Sequence, residues 1–234
     1  MEARAYYNEM DPFAAEWLRG LISAGAIMAG DVDERSIVDV SPGDLEGYVR
    51  CHFFAGIGGW DLALRMAGWR EDVEVWTGSC PCQPFSSASS GRGGGFDDER
   101  DLWPSWLRLI AARSPRVVFG EQVAQESAWL DRTTGDLEAL GYEVGAGVVP
   151  AFVVGADHLR RRVYFAGYSD VRGEPGCPVD AEAPWLPWHD GEPEPVPSED
   201  GVSGRVGVLR AYGNAIVPQV AALFIQASSE AASG

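Results

Sequence analysis

The segment His52-Phe53-Phe54-Ala55-Gly56-Ile57-Gly58-Gly59 is the strongest indication of the fold. It follows a short apolar segment that is typical of a buried strand, and it precedes an amphipathic helical pattern over residues 60–66. Glycines at such a junction allow a tight turn and let the backbone approach a ligand at the N-terminus of the helix. Glycine-rich turns are common, so this stretch alone predicts only a strand–loop–helix unit with a ligand site.

The rest of the chain continues this alternation of strands and helices. Strand-like segments lie near 4–8, 26–30, 50–54, 73–77, 116–120, 147–154 and 162–167, and helical patterns near 12–24, 60–67, 103–113, 125–140 and 216–229. The alternation predicts an α/β fold with a Rossmann-like, mostly parallel sheet that is covered on both faces. The site is expected at the carboxyl ends of the strands, because five notable residues fall at predicted strand ends: Glu9, Asp31, Gly56, Cys82 and Glu121.

The segment Ser79-Cys80-Pro81-Cys82-Gln83-Pro84-Phe85-Ser86 presents one cysteine between two prolines. Proline fixes φ and removes an amide donor, so Pro81 and Pro84 predict a stiff, non-helical loop around Cys82. A thiol held in such a loop is typical of a nucleophile. A Cys-x-Cys metal or disulfide fragment is the alternative. Zinc takes about four ligands, however, and the other cysteines and histidines are scattered without ligand spacing, so we predict no metal site.

Three further segments complete a pattern. Residues 117–123 form a buried-type strand that ends in Glu121, residues 158–165 carry three arginines before an apolar strand, and residues 211–218 open the last helix. With the two segments above, they resemble the DNA cytosine-5 methyltransferase family. The resemblance covers its Phe-x-Gly-x-Gly-Gly cofactor loop, Pro-Cys-Gln nucleophile, Glu-Asn-Val carboxylate, paired arginines and terminal Gly-Asn motif. The chain is identified as a short, phage-like member whose motifs are rearranged.

The resemblance implies a reaction and a set of site residues. The thiolate of Cys82 would add to carbon 6 of a cytosine, and carbon 5 would then take the methyl group of S-adenosylmethionine. Glu121 would contact ring nitrogen 3 and the exocyclic amine, and we expect burial to raise its pKa. Arg162 and Arg160 would hold the base carbonyl or a neighbouring phosphate, although three arginines beside a strand also occur as a solvated surface run. The cofactor would be bound by Glu9, Asp31, Phe54, Gly56, Gly58, Gly59, Asn214 and Ala215.

The implied substrate is duplex DNA from which the target cytosine flips out, because a base inside a duplex is out of reach. Residues 86–100 resemble the mobile catalytic loop of the family, and a plain linker is the alternative. The substrate is expected to meet Gln83, Ser86, Ser87 and Arg92.

The order of the motifs departs from the family. Only 21 residues separate Gly59 from Pro81, which is enough for one helix and one strand. The segment after residue 5 resembles the strand of the family that ends in the ribose-binding acid, here Glu9, and Gly30-Asp31-Val32 resembles the strand with the adenine-binding acid. We therefore predict that the second and third strands precede the first. The alternatives are that residues 1–49 are an unrelated extension and that both acids are turn or capping residues. Gln122 also replaces the asparagine of the family.

Composition sets limits on size and partners. The chain has 234 residues, of which 46% are hydrophobic, and a net charge of −17, which is unusual for a DNA-binding protein. We predict a catalytic core over 1–167, a reduced recognition segment over 168–203 that is rich in acids, proline and glycine, and a C-terminal part of the core over 204–234. No apolar run approaches 18 residues, no basic and apolar leader opens the sequence, and the four cysteines are scattered. We expect a cytoplasmic protein of a bacterium or a phage-infected cell, with no membrane contact.

Two alternatives remain open at this point. The first is a methyltransferase of another cytosine substrate, such as RNA, single-stranded DNA or a nucleotide. The second is a catalytically inactive binding relative, or a protein that needs a second subunit to supply recognition surface.

Overall fold

The computed structural model of the protein describes residues 4–81, 101–123, 127–156, 160–169, 178–179 and 215–233. The described strands are β1 (Ala5–Asn8), β2 (Gly30–Asp33), β3 (Arg50–Phe53), β4 (Val75–Gly78), β5 (Val117–Val123), β6 (Tyr142–Pro150) and β7 (Arg161–Ser169). The α-helices are α1 (Pro12–Ser23), α2 (Gly59–Ala67), α3 (Trp103–Arg113), α4 (Ser127–Ala139) and α5 (Pro218–Ser233). Short 3₁₀ turns cover Ile37–Asp39, Pro42–Leu45 and Ala151–Val154. None of the described helices combines the length and apolar character that a membrane crossing requires.

All seven strands form one sheet in the order β2-β1-β3-β4-β5-β7-β6. The strands from β2 to β5 in this order run parallel to their neighbours. β7 runs antiparallel between β5 and β6. The prediction of a Rossmann-like, mostly parallel sheet is therefore confirmed, and the carboxyl ends of five parallel strands share one edge.

The first two strands of the chain extend the sheet beside the strand that leads into the glycine loop. At the last row of the ladder, Asn8 of β1 pairs with Asp33 of β2 on one side and with Phe53 of β3 on the other. These N-terminal strands are therefore part of the sheet and are not an unrelated extension. The predicted rearrangement of strand order is confirmed.

The position of β2 differs from the prediction of a strand over residues 26–30. The apolar residues Ile27 and Met28 pack as a loop against α1 and β1, where both are buried. The strand itself is the polar sequence from Gly30 to Asp33, which the sequence does not mark because an edge strand is only partly covered. β6 also begins earlier than predicted, at Tyr142, and a 3₁₀ turn follows it from Ala151.

Helices cover both faces of the sheet, as expected. On one face α2 packs against α5, with Trp60, Leu64 and Ile225 in the shared core, and α1 packs beside them through Leu18. On the other face α3 and α4 bury tryptophans over the strands, among them Trp106. Successive side chains of each strand point to opposite faces of the sheet and pack into both cores. The buried strands therefore have continuous apolar sequences.

The N-terminus of α1 is closed by local interactions. The carboxylate of Asp11 accepts hydrogen bonds from the amides of Phe13 (2.9 Å) and Ala14 (3.2 Å), and Pro12 occupies the first turn. Asp at the N-cap and Pro at the start of a helix are favoured for these reasons. The cap directs the chain away from the sheet immediately after the end of β1.

Candidate active site

Four residues follow the last row of the parallel ladder, in which Asn8, Phe53, Gly78 and Gly120 pair in turn. The next residues along the four strands bring together two predicted cofactor residues, the start of the nucleophile segment and the predicted base-binding acid: Glu9, Phe54, Ser79 and Glu121. Because parallel strands end at the same edge, these residues lie together at the carboxyl edge of the sheet. The predicted convergence of the motifs at the carboxyl edge is confirmed for these described members.

The glycine loop has the backbone conformation that its sequence requires. Gly56 and Gly58 have φ of 54° and 85°, values that side chains other than glycine rarely adopt. Phe54 also has a positive φ of 52°, a strained conformation for a bulky residue. Gly58 caps α2 without a side-chain hydrogen bond, so the first amides of the helix face the loop.

Glu9 joins the displaced β1 to this loop. Its carboxylate accepts hydrogen bonds from the amide of Gly56 at 2.7 Å and from the amide of Asp11 at 2.9 Å. Each carboxylate oxygen retains a lone pair after these contacts. The contact places the predicted ribose-binding acid against the predicted cofactor loop.

The acid that the sequence predicts on β2, Asp31, lies differently from the prediction. Asp31 is the second residue of the strand and does not end it; its side chain is 51% exposed and pairs with Arg4 at 2.6 Å. The hydroxyl of Tyr48 also donates to Asp31, at 2.5 Å. Asp33 ends the strand, and its carboxylate accepts hydrogen bonds from Tyr6 and from Arg35. The prediction that Asp31 lies at the strand end is wrong, because the strand begins four residues later than predicted.

A buried polar row supports the first turn of α2. Asp61 accepts a hydrogen bond from the amide of Met28 at 2.9 Å and pairs with Arg50 at 2.8 Å. His52 lies 3.3 Å from the same carboxylate, and its other ring nitrogen is 2.8 Å from the hydroxyl of Thr77. The side chains of Arg50, His52 and Asp61 are at most 1% exposed. This row ties β3, β4 and the loop before β2 to α2, the helix that follows the glycine loop.

The nucleophile segment leaves the sheet after Gly78, and its predicted nucleophile Cys82 lies outside the described residues. Cys80 is described, and it is a buried free cysteine. Burial raises the pKa of its thiol well above the usual value, which makes the reactive thiolate scarce. Over the ranges that the structure describes, no group of three or more His, Cys, Asp or Glu residues has the arrangement of a metal site.

Glu121 is buried beside an arginine of β7. Arg162 approaches one carboxylate oxygen to 2.8 Å, and the side chains are 22% and 8% exposed, respectively. Burial raises the pKa of Glu121, and the charges of Arg162 and Arg160 oppose this rise only in part. The expected direction of the shift and its expected cause are confirmed.

Gln122 still reaches the nucleophile segment despite its extra methylene. Its side-chain amide donates to the carbonyl of Cys80 at 3.2 Å, and its side-chain carbonyl accepts from the amide of Val123 at 2.9 Å. The side chain is buried. The contact fixes the backbone at Cys80, which precedes Cys82 by two residues in the sequence.

Arg160 connects the arginine strand to the C-terminal motif. Its guanidinium donates to the carbonyl of Ala215 at 2.7 Å. A cavity of about 660 Å³ lies next to this contact, beside the N-terminus of α2. Among the residues that line it are four predicted site residues, Gly58, Gly59, Arg160 and Ala215, and apolar side chains of α1 and α2. Glu9 and Phe54 do not belong to its lining.

Other predicted site residues lie outside the described part of the chain: Gln83, Ser86, Ser87, Arg92 and Asn214. Conversely, the sequence did not single out Ser79, Trp60 or Asp61. Only their positions in the sequence could have indicated these residues. Ser79 directly follows a strand, and Trp60 and Asp61 occupy the first helical turn after the glycine loop.

Comparison with known proteins finds similar sequences and structures. The model of the C-5 cytosine-specific DNA methylase family matches residues 69–181. The Type II methyltransferase M.NgoMIV of Neisseria gonorrhoeae is 31% identical over 110 residues, which are 45% of this chain and 35% of that protein. The Type II methyltransferase M1.HphI of Haemophilus parahaemolyticus is 32% identical over 116 residues, 47% of this chain and 31% of that protein. The chain thus spans about a third of the length of these curated relatives.

Among solved structures, the S. pombe Dnmt2 methyltransferase matches with a TM-score of 0.43 and 14% identity, over 74% of this chain and 53% of that one. The family match covers the nucleophile segment, Glu121 and both arginines, whereas the glycine loop and the N-terminal strands precede it. The sheet joins those strands to the matched part. The family match and these relatives support the resemblance of this chain to the DNA cytosine-5 methyltransferase family.

Proposed function

We propose that the protein transfers a methyl group from S-adenosylmethionine to carbon 5 of cytosine in DNA, through a covalent adduct of Cys82 with a flipped-out base. The observation that carries the proposal is the buried pair of Glu121 and Arg162 in the same row as the glycine loop and the nucleophile segment. A site that combines a cofactor loop, a thiol and a carboxyl of raised pKa suits chemistry on a cytosine ring.

The residues at the carboxyl edge fit the cofactor. The carboxylate of Glu9 is held against the loop and has lone pairs left for the ribose hydroxyls. The positive φ at Gly56 and Gly58 lets the backbone approach the ligand closely, and a side chain added at Gly56 would meet open space. Phe54, Gly59, Asn214 and Ala215 would complete the pocket. When bound, S-adenosylmethionine supplies an electrophilic methyl group.

The adenine amine is proposed to meet an acid of β2. Asp31 is the acid that the family motif indicates, whereas Asp33 is the acid that the strand end indicates. Each acid forms an ion pair with an arginine, Asp31 with Arg4 and Asp33 with Arg35, so these contacts do not distinguish the two. Both acids are therefore tested by mutation below.

The chain's own residues supply the remaining chemistry. The thiolate of Cys82 would add to carbon 6 of cytosine, which breaks the aromaticity of the ring and makes carbon 5 nucleophilic. A protonated Glu121 would donate to ring nitrogen 3 and stabilise the charge that develops during addition. Burial favours this protonated form. Arg162 would hold Glu121 in place and meet the base carbonyl, and Arg160 would act with it.

The proposed substrate contacts lie outside this core. Gln83, Ser86, Ser87 and Arg92 would meet the base and its phosphates. The net charge of −17 opposes tight binding of a duplex, so a second subunit that supplies recognition surface is part of the proposal. The domain limits and a cytoplasmic location also remain predictions.

Methyl transfer from labelled S-adenosylmethionine to DNA of mixed sequence tests the proposal. The wild type and Cys80→Ser should label the DNA, whereas Cys82→Ser should transfer no label and still bind the cofactor. Equal labelling by Cys82→Ser, or a covalent adduct with 5-fluorocytosine DNA that maps to Cys80, would contradict the proposed nucleophile.

Calorimetry with S-adenosylmethionine tests the cofactor site. Glu9→Ala should weaken binding by about 1–3 kcal/mol, the value of a lost charge-assisted hydrogen bond. Asp31→Ala and Asp33→Ala are compared in the same assay, and the weaker binder identifies the acid that meets adenine. Normal binding by all three variants would exclude this part of the chain from the cofactor site.

Another cytosine substrate is the second candidate function, and the acidic composition favours it. A comparison of duplex DNA, single-stranded DNA and RNA across a salt titration separates the two. Preferential methylation of RNA or of single strands would replace the duplex as the substrate.

A further inference from the structure

Trp60 contacts three parts of the proposed site. It is the second residue of α2 and directly follows Gly59 of the glycine loop. Its indole nitrogen lies 3.0 Å from the hydroxyl oxygen of Ser79, which follows β4 and begins the nucleophile segment. Its ring stacks on Phe119 of β5, two residues before Glu121, with ring centres 6.4 Å apart. One side chain therefore joins the glycine loop, the nucleophile segment and the strand of the proposed base-binding acid.

The chemistry and the packing of Trp60 fix the direction of this hydrogen bond. An indole N–H only donates, so the hydroxyl oxygen of Ser79 is the acceptor. Trp60 is 2% exposed, and the ring of Tyr164 in β7 meets its ring edge-on, with centres 6.2 Å apart. Because protein cores are close-packed, the indole cannot turn without a rearrangement of its neighbours. The core therefore holds the N–H toward Ser79.

The next residue of the nucleophile segment is held from the opposite face of the sheet. Cys80 packs in the core under α3 and α4, whereas Trp60 belongs to the core under α2 and α5. The carbonyl of Cys80 accepts a hydrogen bond from the side-chain amide of Gln122 at 3.2 Å. Two side chains thus fix consecutive residues of the segment from two sides.

We propose that Trp60 is a positioning residue, which acts through Ser79 to hold the nucleophile segment at a fixed distance from the glycine loop. This inference rests on the proposed roles of Cys82 as nucleophile and of the loop in cofactor binding. Thiol addition and methyl transfer act on adjacent carbon atoms of one ring, so the thiol and the methyl group must keep a fixed separation. A small displacement from this geometry lowers the rate and leaves the cofactor contacts intact.

Loss of the hydrogen bond should lower kcat and leave cofactor binding unchanged. Ser79→Ala removes the acceptor and Trp60→Phe removes the donor, and each should lower kcat about tenfold, the equivalent of one hydrogen bond. Because both substitutions remove the same bond, the double variant should be no slower than the slower single variant. Ser79→Thr keeps a hydroxyl and should restore the wild-type kcat. Calorimetry should give each variant the wild-type Kd for S-adenosylmethionine.

Trp69→Phe is the matched control. Trp69 is 3% exposed, contacts the same Phe119 with ring centres 5.5 Å apart, and donates from its indole nitrogen to the carbonyl of Val73 at 3.1 Å. It lies between α2 and β4, at the amino edge of the sheet and away from the site. Both tryptophan variants should lower the melting temperature, but only Trp60→Phe should lower kcat. Equal losses of kcat would assign Trp60 a merely structural role and overturn the inference.

A second measurement tests the hydrogen bond without activity. In nitrogen-15 NMR spectra of the free protein, the indole signal of Trp60 is assigned by its loss in Trp60→Phe. Exchange of this indole proton with solvent should become faster in Ser79→Ala and return to the wild-type rate in Ser79→Thr, because a bonded donor exchanges only when the bond opens. The indole signal of Trp69 should stay unchanged. An unchanged Trp60 signal and exchange rate in Ser79→Ala would overturn the inference.

The outcomes separate this inference from the proposed function. If the wild type transfers no methyl group while the Trp60 signal responds to Ser79→Ala, the proposed reaction is wrong and the anchor of the nucleophile segment is supported. If the wild type is active and kcat is unchanged in Ser79→Ala, the proposed function stands and the positioning role is overturned. Ser79→Ala deletes one oxygen from a half-buried residue, so this comparison remains decisive even if Trp60→Phe does not fold.

Discussion

The buried pair of Asp61 and Arg50 provides a stringent test of how α2 is fastened to the sheet. Asp61→Asn keeps the shape of the side chain and an oxygen that can still accept from the amide of Met28, but it removes the negative charge 2.8 Å from Arg50. The side chains of the pair are 0% and 1% exposed, so water cannot replace the lost partner. Arg50 would remain as a buried charge without compensation.

Removal of one partner from a buried ion pair costs about 3–5 kcal/mol. Since small domains are stable by only about 5–15 kcal/mol, this loss is a large part of the total. Asp72→Asn is a matched control, because Asp72 pairs with Arg70 at the same 2.8 Å while the side chains are 70% and 50% exposed. The control should change the free energy of unfolding by less than about 1 kcal/mol.

Urea denaturation, followed by tryptophan fluorescence and far-ultraviolet circular dichroism, measures both variants. Burial alone would raise the pKa of Asp61, but the neighbouring His52 and Arg50 hold it well below its usual range. Asp61 therefore contributes fully to the free energy of unfolding above the pKa that it has in the unfolded chain, about 3.9. This contribution is lost as the pH falls through the lower pKa of Asp61 in the folded protein. A loss of less than about 1 kcal/mol in Asp61→Asn at pH 7 would refute the reasoning that this row fastens α2 to the sheet.

Three further predictions concern the site and its substrate. Arg162→Gln removes the cation beside Glu121 and should lower kcat by about 10²–10³-fold, whereas Arg161→Gln, at an exposed position, should keep wild-type kinetics; equal effects would contradict the role of Arg162. In Gly59→Ala the new methyl group would lie 2.8 Å from Ile216, so the melting temperature should fall, and Ile216→Ala should recover part of the loss if this contact is the cause. Bisulfite sequencing of a methylated plasmid should reveal a short target of at most about four base pairs. Each good bidentate contact contributes about 1–3 kcal/mol of discrimination, and residues 168–203 offer few basic side chains for such contacts. One motif of six or more fixed bases would show that the protein reads its target elsewhere.

The sequence by itself determined the elements whose signal is local. The glycines of the cofactor loop require special φ values, the prolines around Cys82 exclude a helix, and strands such as β5, buried on both faces, read as apolar runs. These signals, with the order of the motifs, were sufficient to predict the family, the sheet and the displacement of the first two strands. Burial of Glu121 was expected from the apolar run before it, although the prediction that the strand ends there is wrong, because pairing with β7 extends β5 to Val123.

Only the tertiary structure decided which groups meet across elements. The start of β2 was misplaced because an edge strand needs few apolar residues, while the preceding apolar residues Ile27 and Met28 pack as a loop. The contacts of Glu9 with Gly56 and of Gln122 with Cys80 join residues 47 and 42 positions apart. The bond from Trp60 to Ser79 depends in the same way on the register of parallel strands, which sets all their carboxyl ends at one edge. No local pattern encodes such contacts, because each arises from the pairing of strands that are distant in the chain.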